Sequence, residues 1–175
     1  METLPFLTFA STIHDPENRL GYLIEEVGEK LRGSFSSVSV AYTPKTHPKT
    51  VSLLEERGYR TFKAEDTVVN CYQTSLSQSL EPKSGDIFYC DLDRALHLIR
   101  NYLKGLETLI EPSIHADFTL IGRNKRVFET HPETQTITEG IGNTLASKVL
   151  GFQETRDVLA PLRYSPRHWQ RKSSS

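Results

Sequence analysis

The chain is 175 residues long, 37% apolar, with a formal charge of -1, enough for one compact core and too short for a second of comparable size. Its balanced charge, without a basic run, argues against a nucleic-acid partner. No apolar stretch approaches the roughly 20 residues that cross a bilayer, and no basic segment leads into an apolar signal core, so the expectation is a cytoplasmic protein without a transmembrane segment.

Leu4 to Ile13 is rich in β-forming residues and is closed by His14-Asp15-Pro16, the pattern of a buried strand running into a helix. Asp15 is placed to cap that helix with Pro16 as its first residue, and Leu20, Leu23, Ile24, Val27 and Leu31 recur at helical spacing up to Gly33. Val38 to Tyr42 reads as a second strand. Pro44 and Pro48 punctuate the following loop, and Val51, Leu53 and Leu54 mark a short helix ending at Gly58. Tyr59 to Ala64 is a third strand, and Val68 to Leu80 is a helix weakened by its serines and threonines. Ile87 to Cys90 makes a fourth strand. A strongly periodic helix opens at Asp93 or Arg94 and continues through Leu96, Ile99, Leu103, Leu106 and Ile110, before a fifth strand at Phe118 to Ile121. Cys71 and Cys90 fall inside elements with no framework spacing, as buried thiols do.

Strands alternating with helices imply βαβ units, and so a single α/β domain, Rossmann-like, with a mostly parallel central sheet and helices on both faces. Ligands of such sheets lie beyond the carboxyl ends of the strands. Thr12 to Asp15, Tyr42 to Lys45, Asp91 to Asp93 and Gly122 to Asn124 all fall there.

Asp91 and Asp93 close the apolar fourth strand in G-D-I-F-Y-C-D-L-D-R-A-L-H, Gly85 to His97. Aspartate readily caps a helix. Only one residue of an i, i+2 pair can occupy the N-cap, however, and neighbouring carboxylates repel unless a cation or a proton compensates. A divalent cation meets that need: Mg²⁺ or Mn²⁺ takes hard oxygen ligands, keeps waters and is completed by substrate phosphates. The ligand so implied carries a diphosphate.

The β-α alternation with Y-C-D-L-D-R at the end of the fourth strand resembles the nucleotide-diphospho-sugar transferase superfamily, the GT-A-type glycosyltransferases, whose D-x-D motif holds a metal against a sugar nucleotide diphosphate. Gly122 to Asn143, G-R-N-K-R-V-F-E-T-H-P-E-T-Q-T-I-T-E-G-I-G-N, resembles a microbial branch of that superfamily. The resemblance covers residues 4 to 151 and implies a GT-A fold, a nucleotide-diphosphate sugar as partner and Mg²⁺ or Mn²⁺ as cofactor. It makes Asp93 the metal ligand, sets Asp91 at the ribose or at the metal through water, and turns Thr12, His14 and Asp15 toward the nucleotide. From Phe152 the chain departs from the pattern: it is proline-punctuated, basic near its end and aperiodic. The expected organisation is a transferase-like domain over 1–151 and a divergent or disordered tail over 152–175, which puts the acceptor site in doubt.

Arg94 and Arg123 offer forked donors suited to phosphate. Glu139 and Asn143, four residues apart after His131-Pro132, share one helix face, which presents a polar pair to a ligand or simply faces solvent; Glu139 is the candidate base. His97, one turn beyond Asp93, supports the metal or is a surface histidine. The functional expectation is metal-dependent transfer from a nucleotide-diphosphate sugar. The alternatives are a non-catalytic sugar-nucleotide-binding module and, more remotely, a D-x-D phosphatase, whose nucleophile normally follows the first strand. The chain contains no G-x-G-x-x-G, Walker A, C-x-x-C, H-E-x-x-H or G-x-S-x-G motif.

Overall fold

The computed structural model describes residues 4–65, 67–80, 85–102, 118–123, 125–129, 133–160 and 162–166, with Thr108, Ile110 and Ala116. The chain divides into two compact units, Met1–Thr119 with Tyr164–Ser175, and Leu120–Arg163. In the first unit strands and helices alternate as β1 (Leu4–Ile13), α1 (Gly21–Gly33), β2 (Phe35–Tyr42), α2 (Pro48–Glu56), β3 (Arg60–Lys63), α3 (Val68–Ser79), β4 (Asp86–Tyr89) and α4 (Leu92–Asn101). After these come β5 (Thr119–Ile121), α5 (Lys125–Phe128), α6 (Glu133–Val149) and β6 (Leu162–Ser165).

The strand order is β3-β2-β1-β4-β6-β5. β1 pairs in parallel with both β2 and β4, and β2 pairs in parallel with β3, so the α/β class read from the alternation holds. β1 occupies the centre of this parallel part and is buried on both sides: Phe9 and Ala10 are both fully inaccessible. Successive side chains of a strand point to opposite faces. Ala10, Ile87 and Tyr89 form one face with Tyr72 and Leu76 of α3 against it, while Phe9, Phe35 and Phe88 cluster on the other. α1 packs on α2 and α4 rather than on α3, which leaves the phenylalanine face to α1 and α4. α4 supplies Leu92, Ala95, Leu96 and Ile99 to the core at helical spacing.

The α3 face is much more polar. Cys71, Ser75 and Ser79 are buried in it, and the hydroxyls of Ser75, Thr8 and Ser39 are buried without a hydrogen-bond partner among the described residues. Ser39 stands opposite Ala10 in the ladder, so these hydroxyls meet on one side of the sheet. A buried hydroxyl without a partner is costly, and alanine is the better helix former. Ser75→Ala is therefore expected to stabilise the protein by about 1 kcal/mol, read as a higher urea midpoint with an unchanged denaturant slope.

Two expectations are corrected. Helix α1 begins at Gly21, with Leu20 as its N-cap, not at Pro16. Asn18 adopts φ 54°, a left-handed conformation that interrupts a helix, and a side chain at Gly21 would meet the Asn18 amide at 2.8 Å. Pro48, read as loop punctuation, is the first residue of α2, where its missing N–H costs nothing; His47 caps it by accepting from the Lys49 amide at 3.1 Å. Within the stretch expected to be a divergent or disordered tail, Leu162–Ser165 forms β6. Its Tyr164 is buried and donates to Asp86 Oδ2 at 2.7 Å. Leu103 and Leu106 of the expected continuation of α4, Asn124, His131 and Pro132, and residues 167–175 lie outside the described residues.

Candidate functional site

Beyond the carboxyl ends of β1, β2 and β4 the first unit opens into a cleft of about 540 Å³, lined by Thr12, His14, Asp15, Thr43, Asp91 and Asp93 among others. That size suits a small organic ligand. Parallel pairing places these residues together because each lies at or just beyond the carboxyl end of its strand on the same sheet edge.

Asp15 builds one wall. It is only 4% exposed. Its carboxylate accepts from the backbone amides of Arg19 at 2.7 Å and Leu20 at 3.1 Å, and from the Thr50 hydroxyl at 3.0 Å. Its carbonyl accepts from the His47 amide at 2.9 Å. Asp15 thus joins the loop before α1 to the start of α2. The capping chemistry read from the sequence is real, but it serves the loop amides ahead of the helix rather than a helix starting at Pro16.

His14 is exposed in the cleft, and its Nδ1 lies 2.8 Å from Thr43 Oγ1. Thr43 Oγ1 lies 3.2 Å from Thr46 Oγ1, which donates to the Ile13 carbonyl at 3.3 Å.

The paired aspartates sit on different footings. Asp91 occupies the N-cap of α4, yet its side chain makes no capping hydrogen bond. Its Oδ1 instead accepts from the Tyr89 hydroxyl at 3.1 Å, and its Oδ2 lies 3.8 Å from Arg94 Nε. Asp93, in the first turn of α4, is exposed. The helix-cap explanation of the D-x-D pair therefore fails for the residue best placed to fulfil it. Both carboxylates face the cleft at the positive end of α4, where charge is also favoured by the helix dipole.

Tyr89 is the residue that sequence reasoning passed over. Its hydroxyl is 3.0 Å from Thr12 Oγ1, so it ties the ends of β1 and β4 to Asp91. Its ring packs edge-on to Tyr72 at 4.7 Å. Burial, and then the adjacent Asp91 charge, push the phenol well above its ordinary pKa, so it stays a proton donor. Alternation along Y-C-D could have found it, since Tyr89 and Asp91 project to the same side of the strand.

Cys90 is free and buried, and burial, reinforced by Asp91 and Asp93, drives its thiol pKa well up. The thiol is inert, as the sequence suggested. Cys71 is likewise buried and in no disulfide.

Two other candidate residues belong to the second unit. Arg123, its side chain 5% exposed, donates through Nε at 2.7 Å to Asp157 Oδ2, and through Nη2 at 2.8 Å to Asp157 Oδ1 and at 2.5 Å to Glu139 Oε2. Glu139 Oε1 also accepts from Gln135 Nε2 at 2.6 Å. Asn143, one turn along α6, donates to Asp157 Oδ1 at 2.9 Å and accepts from the Leu159 amide at 2.9 Å. The Glu139 and Asn143 pair thus shares a face, as its spacing required, and that face clasps the 157–159 segment. Asp157 had no signal in the sequence beyond being an acidic residue in an aperiodic stretch.

Among the described residues no group of three or more His, Cys, Asp and Glu is disposed to hold a metal ion. A cation at Asp91 and Asp93 would have at most these two protein carboxylates and would take its remaining ligands from water and phosphate. That donor set fits Mg²⁺ or Mn²⁺ with a diphosphate.

No family model matches the chain, and no curated protein matches it. Solved structures do. A crystal structure of glucosyl-3-phosphoglycerate synthase from M. tuberculosis aligns with a TM-score of 0.59 at 14% identity, over 94% of this chain and 58% of that one. A structure of the Mycobacterium tuberculosis enzyme with Mn²⁺, uridine diphosphate and phosphoglyceric acid gives a TM-score of 0.57 at 15% identity, over 94% and 57%. A third, with Mn²⁺, UDP-glucose and glycerol 3-phosphate, gives 0.58 at 15% identity, over 94% and 58%. The chain spans a little under three fifths of the length of these structures. It has the fold of the GT-A nucleotide-diphospho-sugar glycosyltransferases. Among the described residues no helix is long and apolar enough to cross a membrane.

Proposed function

We propose that the first-unit cleft binds a nucleotide-diphosphate sugar together with Mg²⁺ or Mn²⁺, and that the protein transfers the sugar. The observation that carries this reading is the convergence, in a GT-A fold, of the loop after β1 with two carboxylates after β4, one held by Tyr89 and the other exposed. Solved structures of the same fold were obtained with Mn²⁺ and UDP or UDP-glucose.

In this reading Asp93 is the principal metal ligand, and Asp91, fixed by Tyr89, holds the metal or one of its waters. When bound, the cation would stabilise negative charge on the departing diphosphate. Arg94, beside Asp91, adds a second positive group on the phosphate side. Thr12, near the end of β1, and His14, in the loop that Asp15 shapes, meet the nucleoside. Arg123 and Glu139 brace the second unit through Asp157, and the base is not assigned to either.

Calorimetric titration with a set of nucleoside diphosphates and their sugar conjugates, with and without Mn²⁺, tests the proposal. Saturable binding that requires Mn²⁺ is the expected result, followed by release of nucleoside diphosphate from the bound conjugate. Binding without turnover would favour a non-catalytic sugar-nucleotide module, and no binding of any member would refute both.

A further inference from the structure

Helix α6 wears its apolar side outward. The residues it buries are polar, Asn143 and Ser147, whereas Ile137, Ile141, Leu145 and Val149 are 56%, 59%, 60% and 87% exposed. Asn143 is engaged by Asp157 and the Leu159 amide, and the Ser147 hydroxyl accepts from the Arg156 amide at 2.8 Å, so the polar side faces its own unit. A surface helix normally turns the other way.

The four apolar residues stand four apart and form one ridge, and beside it runs a second row of small residues, Thr136, Gly140 and Thr144. Ridge and row line an open hollow of about 430 Å³. A side chain built at Gly140 would meet nothing within 4 Å among the described residues, so the fold of the unit does not call for glycine there, although glycine weakens a helix interior. The Thr144 hydroxyl donates to the Gly140 carbonyl at 2.9 Å, which satisfies it without solvent.

Helix geometry, about 100° and 1.5 Å per residue, limits what fits this hollow. An antiparallel copy related by a two-fold axis, with Ile141 of one chain laid on Gly140 of the other, also lays Ile137 on Thr144 and Leu145 on Thr136, each pair occurring twice. The same register brings Glu133 of each copy to Lys148 of the other. These two are the exposed charges of α6, one near each end. A parallel pair would set like charge against like.

We infer that α6 is a self-association surface, on which a second copy of this chain docks antiparallel with its apolar ridge in the row of small residues. A lipid surface is a poorer occupant, because the face carries one cation and one anion rather than a basic excess. The inference does not depend on what the cleft binds. A crossing of two helices buries less than the roughly 800 Å² per partner of a standard interface, so the dimer is reversible, with a dissociation constant on the order of 10 μM.

Sedimentation velocity of the full chain, at concentrations on either side of that value, should show a monomer–dimer equilibrium. Gly140→Gln fills the row without adding apolar surface. It should weaken the dimer about tenfold or more, while the dilute protein keeps or raises its thermal midpoint. Glu133→Lys and Lys148→Glu should each weaken it about fivefold, and the two together should restore it. A monomer at every concentration, a dimer indifferent to Gly140→Gln, or single reversals that the double variant does not relieve would overturn the inference. So would a fall in the midpoint of Gly140→Gln, which would mean that the chain itself fills the row, or flotation of the wild-type monomer with phosphatidylglycerol vesicles, which would give the face to lipid.

Discussion

Asp93→Asn should abolish metal-dependent nucleotide binding, with an affinity loss of about 100-fold or more, while the folded protein keeps its thermal midpoint. Asparagine retains the shape and one carbonyl oxygen but loses the negative charge that a hard divalent cation requires. Because Asp93 is exposed in the first turn of α4, the fold gives up little more than a favourable contact with the helix dipole. Asp91→Asn should cost less in metal affinity than Asp93→Asn, because Asp91 already shares its oxygens with Tyr89 and Arg94. Calorimetry at fixed nucleotide and varied Mn²⁺ separates the two. Unaltered Mn²⁺ dependence in a folded Asp93→Asn protein would remove Asp93 from the metal site.

The second large effect concerns folding. Arg123→Ala should destabilise the second unit by about 3 kcal/mol, because it leaves the largely buried Asp157 and the half-buried Glu139 without their common partner. Burial alone pushes the Asp157 carboxyl up, but the hydrogen bonds from the Arg123 side chain and amide and from Asn143 outweigh it and hold the pKa below the usual carboxylate value. A carboxylate depressed in the folded state contributes stability that is complete above its unfolded pKa, near 4, and is lost as pH falls through the depressed folded value. The wild-type protein should therefore lose this increment only below about pH 4. Asp157→Asn should lack it at neutral pH and show a shallower acid transition. Amide exchange along α6 is the direct measurement, and protection in Arg123→Ala equal to wild type would contradict the bracing role.

The local regularities were legible in the residues. Apolar runs gave β1 to β4, helical spacing gave α1 to α4, and their alternation gave a parallel sheet with the edge that carries the candidate site, because an element must bury its apolar face whatever the rest of the chain does. Asp91 and Asp93 drew attention for the same reason: two carboxylates at the end of a buried strand need a partner. Where a residue competes for several partners, the sequence was silent. Asp15 had the composition of a helix cap, but Asn18 takes a left-handed turn and the amides of Arg19 and Leu20 reach its carboxylate first, so the helix starts later.

Periodicity determined that Glu139 and Asn143 share a face of α6; only the tertiary structure decided that Asp157, from a stretch without periodicity, would meet that face. β6 was hidden for a similar reason, since four residues flanked by prolines carry too little pattern to mark a strand until Asp86 and Tyr164 are brought within hydrogen-bonding distance. Likewise, the sequence by itself supplied Thr12, His14 and the D-x-D pair as types of residue at strand ends. The hydrogen bonds of Thr12 to Tyr89 and of His14 to Thr43 exist only once strands distant in the chain lie side by side.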